Sequence, residues 1–107
     1  MKTLSFKNTR LDSQQKLALQ TALDEINATV YLFGSRVDLY AKGGDVDLLL
    51  VLNDDQPDVF KTMMQVSKKY QTLCDEKIDV LVYPEFQKLN KEQKAFFDNI
   101  NKICLTI

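Results

Sequence analysis

The chain predicts an α+β fold: one small sheet with helices packed on it, in an alternating element order like that of α/β proteins. Three observations carry this expectation. Segments with apolar residues at the spacing of one helix face alternate with short runs rich in β-branched and aromatic residues, and Gly, Pro and Asn-Asp clusters separate the two kinds. The 107 residues suit one domain, residues 1–107, which would bury roughly two-thirds of its unfolded surface.

Asp12 or Ser13 is placed to cap a first helix starting near Gln14 and running to about Asn27, with Leu19, Ala22, Leu23 and Ile26 on its buried face. Thr29-Val30-Tyr31-Leu32-Phe33 reads as a buried strand that stops at Gly34-Ser35. From Ser35 to about Lys42 a short helix is expected, stopped by Gly43-Gly44. A second strand, Asp45 to Leu52, follows. Asn53 to Pro57 reads as a turn, with Pro57 at the first helical position, and Val59, Phe60, Met63, Val66, Tyr70 and Leu73 give the longest helix its apolar stripe. Lys77 to Tyr83 is the next strand, closed by Pro84. Asn90 and Gln93 resemble a capping pair before Phe96, Phe97, Ile100 and Ile103. Leu105-Thr106-Ile107 is either a fourth strand or a partner contact.

Composition removes several kinds of chemistry. There is no His, which excludes Ser-His-Asp and Cys-His catalysis and His-ligated metals, so acid and base work falls to carboxylates, Lys or Tyr. Cys74 and Cys104 form no Cys-x-x-Cys pair and are expected to be small core residues. A net charge of −1 gives no general attraction to nucleic acid. No segment is apolar for long enough to span a bilayer, and Met1 to Lys7 lacks the apolar core of a signal peptide, so no membrane partner and a cytoplasmic location are expected.

Three carboxylates stand where apolar strand residues would otherwise be: Asp45 and Asp47 in Gly43-Gly44-Asp45-Val46-Asp47-Leu48, and Asp79 in Lys77-Ile78-Asp79-Val80. Charges beside buried strand residues need compensation. Residues two apart on a strand share a face, so Asp45 and Asp47 can reach one divalent ion, and Asp79 can join them from an adjacent strand. A set of oxygen donors alone favours Mg²⁺ or Mn²⁺, which complete their shells with water and substrate phosphates, and this points to a nucleoside triphosphate. Gly34 lets the backbone approach closely, Ser35 opens the expected helix, and Arg36 and Lys42 are candidate phosphate contacts. Asp38 is a candidate ion-pair partner for either cation. An isolated Asp-x-Asp next to Gly-Gly is most often a polar turn entering a strand. The combination with Gly-Ser before it and an Asp in a second apolar strand is far more specific. Tyr31, Tyr40 and Tyr70 read as core or rim aromatics, and Met63-Met64 as packing against the sheet.

With Gly34-Ser35, Asp45-Val46-Asp47-Leu48 and Ile78-Asp79-Val80, the chain resembles the minimal nucleotidyltransferases of the DNA polymerase β-like superfamily, by motif from about Val30 to Tyr83 and by element order over nearly its whole length. The resemblance implies the nucleotidyltransferase fold with a mixed sheet. It also implies two Mg²⁺ ions held by Asp45, Asp47 and Asp79, phosphates held by Gly34 and Ser35, and in-line attack on the α-phosphate of a nucleotide with release of pyrophosphate. Asp79 would help bind the second ion and activate the acceptor hydroxyl. Many members follow Gly-Ser with a small residue and then Arg-Gly. This chain reads Arg36-Val37-Asp38-Leu39, so Arg36 or Lys42 must replace the basic residue or nucleotide affinity falls.

Small stand-alone members resemble antitoxins paired with helical HEPN ribonuclease toxins, in which the enzyme attaches AMP from ATP to a toxin tyrosine. Transfer of AMP to a partner protein's hydroxyl is therefore the leading expectation. An antitoxin that neutralises its partner by binding alone, with little or no catalysis, is the alternative. Transfer to a small molecule or an RNA end would call for a second substrate-binding domain.

Overall fold

Alternation within the strands decides which face of the sheet meets which helix. The computed structural model describes residues 3–54 and 58–107. Its elements are α1 (Ser13–Ala22), β1 (Ala28–Phe33), β2 (Val46–Leu52), α2 (Val59–Cys74), β3 (Ile78–Tyr83), α3 (Lys91–Asn99) and β4 (Lys102–Cys104), with 3₁₀ turns at Gly34–Val37 and Phe86–Lys88. The four strands form one mixed sheet in the order β3-β2-β1-β4. β1 runs antiparallel to β2 and β4, whereas β2 and β3 are parallel, the latter pair bridged by the α2 crossover.

On one face Ala28, Val30 and Leu32 of β1, Val46, Leu48, Leu50 and Leu52 of β2, and Ile78 and Val82 of β3 are buried against α1 and α2. These helices contribute Ala18, Leu19 and Ala22, and Val66, Tyr70 and Cys74. The spacing is that of a single helix face. On the opposite face Leu49, Val51 and Tyr83 pack with Leu89, Phe97 and Ile100. Edge-to-face ring pairs hold α3 there, Tyr31 with Phe97 at 5.1 Å and Phe33 with Phe96 at 5.8 Å between centroids.

Local chemistry explains the element boundaries. The Asp12 side chain accepts from the Gln15 amide at 2.7 Å while the Asp12 amide donates to Gln15 Oε1, a complete capping box. Gln15 is itself buried and donates from Nε2 to Glu76 Oε2 at 2.9 Å, tying the start of α1 to the turn between α2 and β3. Asn90 and Gln93 make the same reciprocal cap on α3.

Several expectations are corrected. The first helix ends at Ala22 rather than near Asn27, because the chain turns there to enter β1, although Ile26 remains buried. The helix expected over Ser35 to Lys42 is only the 3₁₀ turn Gly34–Val37: the Ser35 and Asp38 carbonyls accept from amides three residues on, those of Asp38 and Ala41, and also from the Arg10 side chain. Asp45 precedes β2 instead of opening it. Val59, Phe60, Met64 and Leu73 lie on the exposed side of α2, and the buried stripe is Val66, Tyr70 and Cys74. Cys104 is exposed, on an edge strand, and is not a core residue. Tyr40 is 95% exposed and is not a rim aromatic. Ile103 belongs to β4, not to the last helix. Of the C-terminal residues left open by the sequence, Leu105 is core and Thr106 bridges to Leu4. The role expected for Pro57 lies outside the described residues; α2 is capped by Asp58, whose side chain accepts from the Lys61 amide. No described helix is long and apolar enough to cross a membrane.

Candidate active site

The first residues of β2 and β3 lie side by side, and this brings the acids together. In the parallel register Asp47 is the direct partner of Asp79, one position along from the Val46–Ile78 pair. Both therefore project to the face that carries Leu49 and Tyr83, away from α1 and α2. The cluster under α3 covers Leu49, Val51 and Tyr83 but stops short of the strand beginnings. Asp79 is exposed, Asp47 is half-buried and Asp45 is exposed just outside the strand.

The carboxyls of Asp47 and Asp79 are close enough to share a hydrogen bond. Burial pushes the Asp47 carboxyl above the usual range; the Asp79 charge and the shared hydrogen bond push it further, and the Asp45 charge adds to this. Two like-charged groups directly opposite each other on adjacent strands destabilise the fold, and a bound cation would relieve the strain. Among the described residues no three His, Cys, Asp or Glu side chains stand in a metal-holding arrangement. The paired acids supply oxygen donors suited to a hard divalent cation. Asp45 follows two glycines at positive φ and stands immediately before β2.

Gly34 and Ser35 sit beside these acids because β1 ends where the antiparallel β2 begins, with Phe33 opposite Asp47. Gly34 has φ +77°, and a side chain there would fall onto Asp47 Oδ2. Gly44, at φ +86°, is pressed as closely against Ser35 Oγ. Both positions favour glycine for conformation, and a Cβ at either would displace the Asp47 carboxylate or the Ser35 hydroxyl. Arg36 donates from Nε to the Gly44 carbonyl at 3.2 Å and from Nη1 to the Arg10 carbonyl at 3.0 Å, so in this structure its guanidinium braces the loop. Lys42 is exposed on the same loop. The Asp38 carboxylate accepts from the Tyr40 amide at 3.0 Å, and neither Arg36 nor Lys42 pairs with it among the described residues.

The sequence reading missed Arg10. It lies before α1, 25 residues from Ser35, yet it donates from Nη2 to the carbonyls of Ser35 at 3.2 Å and Gly43 at 2.6 Å, and from Nε to Asp38 at 3.1 Å. No local signal marks it. Only the path of residues 3–12 past the loop shows its role. A cleft of about 470 Å³ bordered by Tyr31, Asn53, Glu85 and Phe97 lies at the other end of the strands, away from the acids.

The family model described as Polymerase beta, Nucleotidyltransferase matches residues 14–103, which include every acid and glycine of the site. No curated protein matches the chain. Among solved structures the chain is similar to one from tri-AMPylated Shewanella oneidensis HEPN toxin in complex with MNT antitoxin, with 17% identity and a TM-score of 0.42 over 71% of this chain and 59% of that chain. This chain spans less than two-thirds of that chain's length. The family match covers most of the sequence and contains the whole acid-and-glycine constellation: the chain belongs to the Polymerase beta nucleotidyltransferase family.

Proposed function

We propose that this protein transfers a nucleoside monophosphate, AMP from ATP, to a hydroxyl of a partner protein, with a HEPN-type toxin as the partner class and the cytoplasm as the place of action. The observation that carries the reading is the Asp47–Asp79 register pair beside Gly34-Ser35, within a nucleotidyltransferase family domain. Asp45, Asp47 and Asp79 would hold two Mg²⁺ ions, or Mn²⁺ in their place, and the ions would supply charge neutralisation of the triphosphate. Gly34 and Ser35 offer backbone and hydroxyl to phosphate oxygens, and Lys42 and Arg36 offer positive charge beside them.

The acceptor oxygen attacks the α-phosphorus, the bond to pyrophosphate breaks, and the exposed Asp79 carboxylate takes the hydroxyl proton. A protein acceptor suits the openness of the site. Asp45 and Asp79 are exposed, and apolar side chains on the same strand and loop are exposed too: Leu81, two residues along β3 from Asp79, and Leu39 and Tyr40 on the loop that leads to Asp45. Incubation with α-labelled ATP, Mg²⁺ and a HEPN-type toxin is expected to label the toxin, and Asp47→Ala is expected to abolish the label. No transfer, or transfer that survives the substitution, would overturn the reading.

One observation favours an antitoxin that acts by binding alone: the Arg36 guanidinium is engaged with the carbonyls of Gly44 and Arg10. Under that alternative, Asp45→Ala and Asp79→Ala proteins still neutralise the toxin. Loss of neutralisation in either variant counts against it.

A further inference from the structure

The loop from Gly34 to Asp45 has little regular structure of its own beyond one 3₁₀ turn, yet its carbonyls are drawn to one place. Arg10 is that place. Its side chain reaches Ser35, Asp38 and Gly43, near the beginning, middle and end of the loop, and its backbone amide donates to the Arg36 carbonyl at 2.8 Å. Arg36 closes the circuit by donating to the carbonyls of Gly44 and Arg10. A planar guanidinium with donors in fixed directions can satisfy three carbonyls at once, which an ammonium on a flexible stem does less well.

We propose that Arg10 is a positioning residue for the triphosphate. It fixes the Gly34–Asp45 loop so that the loop's backbone N–H groups are set before nucleotide arrives. The argument rests on the nucleotidyltransferase reading of the site. In a trans peptide the N–H is antiparallel to the C=O of the same plane. Turning the carbonyls of Ser35, Gly43 and Gly44 toward the two guanidinium groups therefore turns the amides of Arg36, Gly44 and Asp45 away from them. Amides held in one direction are what phosphate oxygens bind, and a loop ordered in advance loses less entropy when they do. The positive φ values of Gly43 and Gly44, +64° and +86°, are held in place by the same contacts. Arg10 acts through the loop, on binding, and not on the reacting atoms.

The test is calorimetric titration of a non-hydrolysable ATP analogue with Mg²⁺ into wild type, Arg10→Ala and Arg10→Lys, together with Leu89→Ala as a destabilised control distant from the loop. Amide exchange over residues 34–45 is followed in parallel. Each charge-assisted bond lost to an ordered loop is worth about tenfold in binding, so Arg10→Ala is expected to bind at least about tenfold more weakly, with Arg10→Lys intermediate. Exchange should rise within the loop, and Leu89→Ala should bind like wild type at temperatures where all the proteins are folded. If wild type does not bind the analogue, the nucleotidyltransferase reading itself fails. If wild type binds and Arg10→Ala binds equally well, or if Leu89→Ala weakens binding as much, Arg10 has no positioning role. Should Arg10→Ala not fold, the comparison of Arg10→Lys with wild type decides in the same way.

Discussion

Asp47 is the residue at which the fold and the proposed chemistry oppose each other. It occupies a strand position where its neighbours on either side, Val46 and Leu48, are fully buried, and it faces another acid across the ladder. Its carboxyl titrates above the ordinary range because of burial first and the acidic neighbours second. A raised folded-state value means that the fold favours the protonated form. That contribution is complete below the unfolded-state value and is lost as pH rises through the folded one. At neutral pH without metal the ionised pair is therefore a net cost. Asp47→Asn removes it, and because like charges opposite each other on strands cost about 0.5 kcal/mol, the metal-free variant should melt about 2–4 °C above wild type near neutral pH. The advantage should shrink toward zero as pH falls below the unfolded-state value. Thermal melts in chelator across that range check both halves of the prediction, and a variant that melts below wild type at neutral pH contradicts it. Greater stability together with lost transfer is the pattern expected of a functional residue and not of a core one.

At the scale of elements, the loop between β1 and β2 decides whether the acids have anything to work with. Its shape depends on glycines at two close approaches, Gly34 against Asp47 and Gly44 against Ser35. Gly44→Ala puts a methyl group onto the Ser35 hydroxyl and holds an L-residue at φ +86°, with strain of about 1–3 kcal/mol. The variant is expected to weaken nucleotide binding about tenfold or more while the sheet, measured by far-ultraviolet circular dichroism, is unchanged. Binding equal to wild type would show that the loop does not carry the phosphates. This is also the element that the sequence represented least well. Gly43-Gly44 and the residues from Ser35 to Lys42 do read as a helix with a glycine stop, because local propensity carries no information about Arg10, a residue distant in sequence whose side chain binds the Ser35, Asp38 and Gly43 carbonyls. β1 and β2 were legible to within one residue at each end, since alternation and buried β-branched runs are local signals. Burial on α2 was harder to read. Val59, Phe60 and Leu73 fit the helical period, but only packing against α1 and β3 selects Val66, Tyr70 and Cys74 as the buried face.

For the molecule as a whole, topology turns separate motifs into one site. Antiparallel β1 and β2 bring Gly34 to the beginning of β2, and the parallel crossover through α2 returns β3 beside it with Asp79 level with Asp47. The sequence alone left the strand order open, and residue types cannot resolve it: a one-residue slip of β3 would have sent Asp79 to the opposite face. The mixed sheet implied by the family resemblance is the one observed, and its two apolar faces are covered unequally. α1 and α2 cover one face, on which Val80 of β3 stays partly exposed. On the other, α3 covers the middle and far ends of the strands and leaves the acids, with the partly exposed Leu81, facing outward. The central claim is that the acids of β2 and β3 act on a single metal-bound nucleotide. It is tested most directly by a double-mutant cycle in which Mg²⁺ and a non-hydrolysable ATP analogue are titrated into wild type, Asp47→Asn, Asp79→Asn and the double variant. Each single variant is expected to bind at least about tenfold more weakly, and the double variant little worse than either, because residues that share one ligand are not additive. Binding by Asp79→Asn equal to wild type, or losses that simply add, would contradict a shared site.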